Sequence, residues 1–313
     1  MKIVAVPDDA PAVLALSPSF DRLKAAAEVR YFDTLPGVED VLVDRMRDAE
    51  SVVNVRSSSK ITRAVMERCP VLRHISIWGT GTDNVDLDAA RALGIRVTNT
   101  PAVSATSIAE HTLALMLAVA RRVPQIDARV RAGEWPRGGT VQLHGKTLGV
   151  IGLGEIGRRF ARLGQGIGMR VVTWTMNPKP ELGFPHVSIE ELLTSSDVVS
   201  LHLRLSEQTR GFLDASRIAL MKPRAILLNT ARGPIVDERA MMASLRSGQL
   251  GGAGLDVFDV EPLPEDHPLK GMENVVLSPH AAGITPEALE AGLSLAVDNV
   301  LAYFSGNVRN AVV

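Results

Sequence analysis

Residues 147–157 read TLGVIGLGEIG, in which an apolar run ends in a Gly-x-Gly-x-x-Gly motif and continues as a helix-like segment. This order predicts a strand, a tight turn and a helix that together bind the pyrophosphate of a dinucleotide. Gly152 allows the tight turn, Gly154 lets the backbone approach the phosphates, and Gly157 lets the helix pack closely on the strand. The motif therefore predicts a dinucleotide site at the first turn of a helix.

The first residues of that helix, Glu155 and Ile156, are expected to carry backbone N–H groups that have no partner inside the helix. These groups and the positive end of the helix dipole favour an anion without any charged side chain. An ordinary glycine-rich turn would contain the same three glycines, so the motif has to be weighed together with the rest of the chain.

The composition predicts a soluble globular protein with more than one domain. A chain of 313 residues exceeds what one hydrophobic core usually serves, so two domains are expected. With 34 Lys and Arg against 35 Asp and Glu, the net charge of −1 gives no general attraction to nucleic acid or to a membrane surface. The single cysteine cannot form an internal disulfide. Since no apolar run has the length of a signal peptide or of a membrane span, a cytoplasmic location is expected.

Short apolar runs alternate with helix-like stretches in two series along the chain. This alternation predicts parallel sheets built from βα units, with ligands bound beyond the carboxyl ends of the strands. In the first series the predicted strands span residues 2–6, 27–32, 51–55, 72–77 and 95–98. In the second series, after the glycine motif, they span residues 170–175, 197–201, 225–229, 252–257 and 274–278.

Two longer helix candidates complete the predicted organisation. The first, residues 104–122, lies between the two series and is expected to bridge two domains. The second, residues 286–303, follows the last strand and is expected to return to the first domain. We therefore expect an α/β protein with two doubly wound parallel-sheet domains, one formed by residues 1–99 with 285–313 and the other by residues 100–284.

A contact to the ribose of the cofactor is expected at the end of the second strand of the dinucleotide domain. In NAD sites this residue is usually Asp or Glu, about 20 residues beyond the glycines. Here Thr175 stands in that place, and the missing acid admits NADP as well as NAD. Asn177 and Lys179 either contact a 2′-phosphate or are only turn residues. The sequence leaves the choice between NAD and NADP open.

Three further segments end strands at the same edge of the second sheet, and each contributes one group suited to hydride transfer. Arg232 can bind a carboxylate with two hydrogen bonds and polarise an adjacent carbonyl group. His280 can donate or accept the proton that accompanies hydride transfer. Glu261, if it lies next to that histidine, favours the protonated form and fixes the orientation of the ring.

With these features the chain resembles the D-isomer-specific 2-hydroxyacid dehydrogenases over nearly its whole length. The matching segments, in the order of that family, are VRSS at 55–58, GTGTDNVD at 79–86, AEHT at 109–112, HGKT at 144–147, the glycine motif, NTARG at 229–233, GLDVFDVEP at 254–262 and SPHAAG at 278–283. The resemblance implies a Rossmann dinucleotide-binding domain, a flavodoxin-like substrate domain and a homodimer. It also implies a reaction, the interconversion of a 2-oxo acid and a D-2-hydroxy acid with NAD or NADP.

The resemblance implies roles for the residues at the predicted edge of the second sheet. Arg232 would bind the carboxylate and the 2-oxo group of the substrate, His280 would be the acid/base, and Glu261 would pair with His280. Asp256 would meet the carboxamide of the nicotinamide. Besides the glycine motif, the cofactor-binding residues are then Thr175, Asn177, Thr230, Ala231, Asp256 and Gly283.

The resemblance also assigns substrate contacts to the first domain. Backbone N–H groups of Thr80 and Gly81 would hold the substrate carboxylate, because a loop bordered by glycine permits a close approach. Ser57 and Ser58 would lie near the substrate, in the loop formed by residues 56–58.

Two other functions are compatible with a dinucleotide-binding chain of this kind. One is a non-catalytic sensor that binds NAD(H) and a partner protein, like the corepressors related to the family. The other is a formate dehydrogenase, which would need an amide partner for the histidine in place of Glu261.

A few residues depart from the family pattern or attract attention for other reasons. Arg204 stands where proline is common and adds positive charge near the cofactor, and the bulky Trp78 predicts a pocket for small 2-oxo acids. His111 is interpreted as a hydrogen-bonded interface residue, and His202 as a residue that lines the pocket without doing chemistry. No cluster of Cys, His or carboxylates has the spacing of a metal site, so no metal is expected.

Overall fold

A computed structural model describes residues 2–56, 58–178 and 183–313 of the chain. The chain forms two compact units, Met1–Ser104 together with Ile284–Val313, and Ala105–Gly283. Each unit is built around its own parallel sheet. The predicted fold class, an α/β protein with two doubly wound parallel-sheet domains, is therefore confirmed.

In chain order the strands are β1 (Ile3–Val6), β2 (Glu28–Tyr31), β3 (Ser51–Asn54), β4 (His74–Ile77), β5 (Arg96–Thr98), β6 (Thr147–Ile151), β7 (Arg170–Trp174), β8 (Val198–Leu201), β9 (Ala225–Asn229), β10 (Leu250–Leu255) and β11 (Val275–Leu277). The α-helices are α1 (Pro18–Ala26), α2 (Glu39–Met46), α3 (Arg63–Glu67), α4 (Leu87–Ala92), α5 (Ala105–Arg121), α6 (Val123–Arg131), α7 (Glu155–Gly166), α8 (Ile189–Ser195), α9 (Ala215–Leu220), α10 (Glu238–Ser247) and α11 (Pro286–Phe304). Every strand predicted from the sequence overlaps one of these strands.

Local sequence sets the start of most of these helices. A Ser, Thr or Asp side chain accepts a hydrogen bond from an N–H group of the first turn, which satisfies a donor that the helix itself leaves unpaired. The capping residues are Ser17, Thr62, Asp86, Ser188, Asp214, Asp237 and Thr285. Gly154 precedes α7 and provides no such side chain.

The first unit has the strand order β2-β1-β3-β4-β5, which is the order of flavodoxin-like folds. One of its two core clusters takes apolar side chains from α2, α3 and α4. The other takes them from α1 and α11, where Leu293, Ala296 and Val300 are buried. The closing helix α11 is thus a packed element of the same unit as β1 to β5.

The second unit has the strand order β11-β10-β9-β8-β6-β7. Beyond β7, Thr173 and His186 form an isolated parallel bridge. The N–H of Thr173 donates to the carbonyl of Pro185 at 2.8 Å, and the N–H of Val187 donates to the carbonyl of Thr173 at 3.0 Å. When this bridge is counted as the third strand of the unit, the order is that of a Rossmann fold. The sequence did not predict it, because so short a pairing contains no apolar run.

The helices α5 and α6 differ in how they are packed. In α5, Leu115, Met116 and Val119 are buried in a core cluster of the second unit. In α6 none of the residues is buried, and Val130 on it and Trp135 after it are exposed. Among the residues that the structure describes, no helix combines the length and the apolar character needed to cross a bilayer.

The first sheet contains a fully buried histidine at the start of β4. The ring of His74 is hydrogen-bonded through Nδ1 to Ser51 Oγ at 2.8 Å and through Nε2 to Thr98 Oγ1 at 3.0 Å. It is stacked on Tyr303 of α11 with a centroid distance of 4.6 Å. Burial, together with the charge of Arg96, lowers the pKa of His74 from 6.5 to about 3. The ring is therefore neutral in the folded protein over most of the pH range.

This burial predicts a loss of stability in mild acid. Below pH 6.5 the unfolded state takes up a proton at His74 that the folded state rejects until about pH 3, so stability falls as the pH falls through this window. At about pH 5 this proton uptake lowers the free energy of unfolding by about 2 kcal/mol. Urea unfolding at neutral pH and at about pH 5 should show a smaller acid-induced loss in His74→Gln than in the wild type. An equal loss of stability in both proteins would contradict the conclusion that the buried His74 ring is neutral.

Candidate active site

The glycine motif forms a tight turn between β6 and α7. Gly152 has a φ of +96°, a backbone conformation that favours glycine, and its N–H donates to the carbonyl of Trp174 at 2.8 Å. A Cβ at Gly152 would lie 2.6 Å from the carbonyl oxygen of His202. The turn is thus held between the ends of β7 and β8, where only glycine fits.

The other two glycines of the motif have different surroundings. A Cβ at Gly157 would lie 2.0 Å from the carbonyl oxygen of Gly152, so this glycine lets α7 start directly against the turn. Nothing lies within 4 Å of the Cβ position of Gly154, which faces open space. Because the first turn of α7 also lacks a side-chain cap, its N–H groups and this space fit a pyrophosphate.

Glu155 begins α7 and brings a negative charge close to this anion site. Its carboxylate forms ion pairs with Arg158 and, at 3.2 Å, with Arg159 of the same helix. These two arginines offset the charge of the carboxylate, so the positive end of the α7 dipole still favours a phosphate group.

The ends of β7 and β8 flank the glycine turn. Thr175 and Asn177 follow β7 directly, whereas Lys179 lies outside the described residues. His202 follows β8, is hydrogen-bonded to Ser200 Oγ at 2.9 Å and lies against the ring of Phe160. Burial lowers the pKa of His202 to about 3, so this histidine is neutral and unsuited to proton transfer near neutral pH.

The turn after β9 carries Arg232. Asn229 holds this turn, because its Nδ2 donates to the carbonyl of Arg232 at 2.9 Å and its Oδ1 accepts from the N–H of Ala231 at 3.0 Å. The hydroxyl of Thr230 is hydrogen-bonded to that of Thr112 on α5 at 2.9 Å and is buried. Thr230 and Ala231 are both predicted to bind the cofactor. They lie in a turn that is held by the side chains of Asn229 and Thr112.

Gly233 brings the Arg232 turn against the segment that follows β10. A Cβ at Gly233 would lie 2.0 Å from the carbonyl carbon of Phe258 and 2.5 Å from the nitrogen of Asp259. Any larger residue would separate the two segments. The close approach brings Arg232 near enough to Glu261 for its charge to lower the pKa of that carboxyl.

The structure brings Glu261 and His280 together. Glu261 Oε2 lies 2.7 Å from His280 Nδ1, and Glu261 Oε1 accepts from the N–H of Phe258 at 3.0 Å. Burial opposes ionisation of the carboxyl, but its hydrogen bonds to His280 and Phe258 and the charges of His280 and Arg232 lower the pKa of Glu261 below its usual value. The carboxylate is therefore ionised at neutral pH, and its contact with Nδ1 fixes the orientation of the imidazole ring.

Asp256, directly after β10, is 1% exposed and organises the segment that carries His280. Its Oδ1 accepts from the hydroxyl of Ser278 and from the N–H of Ala281 at 2.9 Å, and its Oδ2 accepts from the N–H of Ala282 at 3.0 Å. The N–H of His280 donates to the backbone carbonyl of Asp256 at 2.7 Å. The loop after β11 is thus wrapped around one buried carboxylate.

The first unit holds the residues predicted to bind the substrate carboxylate. Asn99 Nδ2 donates to the carbonyl of Thr80 at 2.9 Å, and Thr100 Oγ1 accepts from the N–H of Gly79 at 2.7 Å. Within the described part of the chain, the N–H groups of Thr80 and Gly81 donate no hydrogen bond. Two amides in an anchored loop thus remain for an anion.

A buried carboxylate also supports the neighbouring loop. Asp8, fully buried after β1, accepts from the N–H groups of Val55 and Arg56 at 2.9 and 3.2 Å and from Asn54 Nδ2 at 2.6 Å. Burial raises the pKa of Asp8. These contacts hold the chain just before Ser58, which is exposed, while Ser57 lies outside the described residues.

Trp78 does not have the surroundings that the sequence suggested. It follows β4 and packs in the core cluster of α1 and α11, where a Cβ at Gly292 would lie 2.2 Å from its Nε1. The indole is therefore a packing group against α11, which argues against the predicted narrowing of a substrate pocket.

Comparison with known proteins identifies the family. A family model, the NAD-binding domain of D-isomer-specific 2-hydroxyacid dehydrogenases, matches residues 113–282, which is more than half of the chain. A glyoxylate reductase from Aeropyrum pernix is 41% identical over 286 residues, which cover 87% of this chain and 85% of that protein. The chain belongs to the D-isomer-specific 2-hydroxyacid dehydrogenases.

Two solved structures show which cofactors related proteins bind. A D-lactate dehydrogenase from Aquifex aeolicus, complexed with NAD and lactic acid, is 30% identical with a TM-score of 0.87 and covers 99% of both chains. An acyclic imino acid reductase in complex with NADPH and D-Arg is 28% identical with a TM-score of 0.92 and covers 99% of this chain and 100% of that one. This protein is an NAD(P)-dependent 2-hydroxyacid dehydrogenase, and its cofactor is NAD or NADP.

In this dehydrogenase, sequence reasoning missed residues that support the site. His111 lies far from any strand end in the sequence, yet its Nε2 lies 2.8 Å from the hydroxyl of Ser278. Asn229 and Gly233 were quoted only as parts of a motif. One sequence signal does point to His111: it lies one helical turn before Leu115, an apolar residue on the buried face of α5. Among the described residues, no group of three or more His, Cys, Asp or Glu is placed to hold a metal ion.

Proposed function

We propose that this dehydrogenase reduces a small 2-oxo acid to the D-2-hydroxy acid, with His280 as the acid and Arg232 as a substrate-binding residue. The observation that supports this most is the contact of 2.7 Å between His280 Nδ1 and Glu261 Oε2. Because this contact uses Nδ1, the other ring nitrogen is left for the substrate, and within the described residues it has no hydrogen-bond partner. A histidine paired in this way is suited to general acid catalysis.

The proton and the hydride have separate sources in this proposal. The glycine turn and the first turn of α7 would hold the reduced cofactor, whose chemistry would supply the hydride for C2 of the substrate. His280 Nε2 donates its proton to the oxygen that was the 2-oxo group, so a hydroxyl forms and a neutral imidazole remains. Arg232 binds the carboxylate and polarises the 2-oxo oxygen, which places C2 for the transfer. Glu261 stabilises the protonated imidazole before the step and holds the ring through Nδ1 afterwards.

The cofactor contacts are proposed from the geometry around the glycine turn. The space at Gly154 and the N–H groups around Glu155, Ile156 and Gly157 suit the pyrophosphate. Thr175 and Asn177 would contact the ribose, and Thr230, Ala231, Asp256 and Gly283 would lie near the nicotinamide half. Since Thr175 carries no negative charge, it does not repel a 2′-phosphate.

The proposed substrate is a small 2-oxo acid, with glyoxylate as the first candidate. Several relatives between 35% and 41% identical are named glyoxylate reductases. The amides of Thr80 and Gly81 would bind the substrate carboxylate, with Ser57 and Ser58 in the next loop. Hydroxypyruvate, pyruvate and phenylpyruvate are the other acids of this class to be compared.

The function is tested by turnover with and without His280. Purified protein should oxidise NADH or NADPH, measured separately by absorbance, in the presence of at least one of these four acids. His280→Ala should lower kcat by about 100-fold or more, because general acid catalysis contributes about 10² to 10⁴. The exposed His144 supplies the control, and His144→Ala should keep wild-type turnover. Cofactor binding without turnover on any acid would favour a sensor, and an active His280→Ala protein would rule out the proposed acid.

The role of Glu261 predicts a change in pH dependence. The rate of reduction should fall as the pH rises, because the acid must be protonated. In Glu261→Gln this fall should begin at lower pH than in the wild type, since the amide no longer stabilises the imidazolium through the contact with Nδ1. Glu238 forms a second Glu–His pair, with His267 at 3.0 Å, and Glu238→Gln should leave the profile unchanged. An unchanged midpoint in Glu261→Gln would contradict the role of this residue.

We also propose that the protein is a homodimer. The helix α6 has no buried residue, and Val123, Val130 and Trp135 expose large apolar side chains on and after it. Such a group of apolar residues is typical of a protein–protein contact. Light scattering should give twice the mass of one chain, and Trp135→Glu should shift the protein towards the monomer. A monomeric wild-type protein at micromolar concentration would contradict this proposal.

A further inference from the structure

We propose that His111 is a positioning residue for His280. It would act through Ser278 and Asp256, by fixing the carboxylate that organises the loop after β11. The inference rests on the proposed function, since it assumes that His280 is the acid. It assigns a task to a histidine on α5 that the sequence analysis interprets only as an interface residue.

The hydrogen bonds among these residues have only one consistent direction. The hydroxyl of Ser278 donates its single proton to Asp256 Oδ1, which also accepts from the N–H of Ala281. The oxygen of Ser278 must then accept from His111 Nε2, which lies 2.8 Å away. His111 Nε2 therefore carries a proton in this arrangement. The chain of donors runs from His111 through Ser278 to Asp256.

The loop that receives this support is under backbone strain. His280 has a φ of +53°, in the left-handed region that residues other than glycine rarely occupy. Such a conformation persists only where the surroundings hold it in place. Here the constraints are the N–H groups of His280, Ala281 and Ala282, which all donate to Asp256. A rotation of the Asp256 carboxylate would release two of these three bonds and let the imidazole move.

His111 is well placed to prevent this rotation. It lies on α5, a helix anchored in the core of the second unit through Ala109, Leu115 and Met116. Its Nε2 is also 3.7 Å from Asp256 Oδ1, so one donor faces both the serine hydroxyl and the carboxylate. Without this donor the Ser278 oxygen loses one of its two hydrogen bonds, so the hydroxyl that donates to Asp256 is held less firmly. The orientation of Asp256 then depends more on the backbone amides.

The test compares four variants of the full chain in steady-state kinetics. His111→Phe removes the donor and keeps a planar ring, Ser278→Ala removes the link, and the double variant removes both. His111→Gln keeps an N–H donor at a similar reach. The exposed His144 again supplies the control, as His144→Phe. Melting temperature and the Kd of NADH or NADPH are measured for each protein, so that a loss of folding or of cofactor binding is seen separately.

The expected result is a selective loss of kcat. His111→Phe and Ser278→Ala should each lower kcat by about 10- to 100-fold, because a small displacement of a catalytic group costs up to about 10²-fold. The KM of the 2-oxo acid should change less than kcat. The double variant should be no worse than the worse single variant, since both changes break one chain of contacts. His111→Gln should recover most of the lost kcat, and His144→Phe should be unchanged.

Three results would overturn the inference: wild-type kcat in His111→Phe, losses that multiply in the double variant, or equal losses in the Gln and Phe variants. If His111→Phe does not fold, Ser278→Ala decides alone, and wild-type kcat in that variant would equally overturn it. Failure of the proposed function is recognised separately. In that case His280→Ala keeps its turnover, whatever the His111 variants show.

Discussion

The buried carboxylate of Asp256 is the constraint on which the arrangement of the candidate active site depends. A carboxyl group that is 1% exposed is costly to bury unless its oxygens are hydrogen-bonded, and the chain after β11 folds around it. That folding places His280 in a left-handed conformation with Nδ1 against Glu261. Gly233 then allows the Arg232 turn to approach the same segment. Asp256 thus determines the conformation of the loop that carries His280, while Asn229 and Gly233 hold the Arg232 turn.

The same physical solution occurs in the first unit. Asp8 lies just after β1, as Asp256 lies just after β10. It too is buried, and it accepts hydrogen bonds from N–H groups of the loop after the neighbouring strand β3. In a parallel sheet the carboxyl ends of all strands lie at one edge, so a carboxylate at one strand end reaches the loops of its neighbours. Short polar side chains at strand ends therefore fix the loops to which we assign ligand binding, while the strands themselves are fixed by apolar burial.

The sequence predicted most of the fold because its signals are local. Strands appear as short apolar runs, helix starts as Ser, Thr or Asp, and the glycine turn as a fixed spacing. The bridge between Thr173 and His186 was missed, since a pairing of this length leaves no pattern. The packing of Trp78 could not be predicted for another reason: its neighbour Gly292 is more than two hundred residues away in the sequence. His111 was missed because only the packing of α5 brings it to the strand ends.

By itself the sequence determined the class of the fold, the glycine turn, and the set of groups that the chemistry needs, because residue type and short spacing carry this information. Only the tertiary structure decided which of those groups meet. The contact of Glu261 with His280, the donors around Asp256 and the place of His111 beside Ser278 join parts of the chain that are far apart in sequence. Their distances depend on how strands and helices pack, and packing is a property of the whole unit that no short segment encodes.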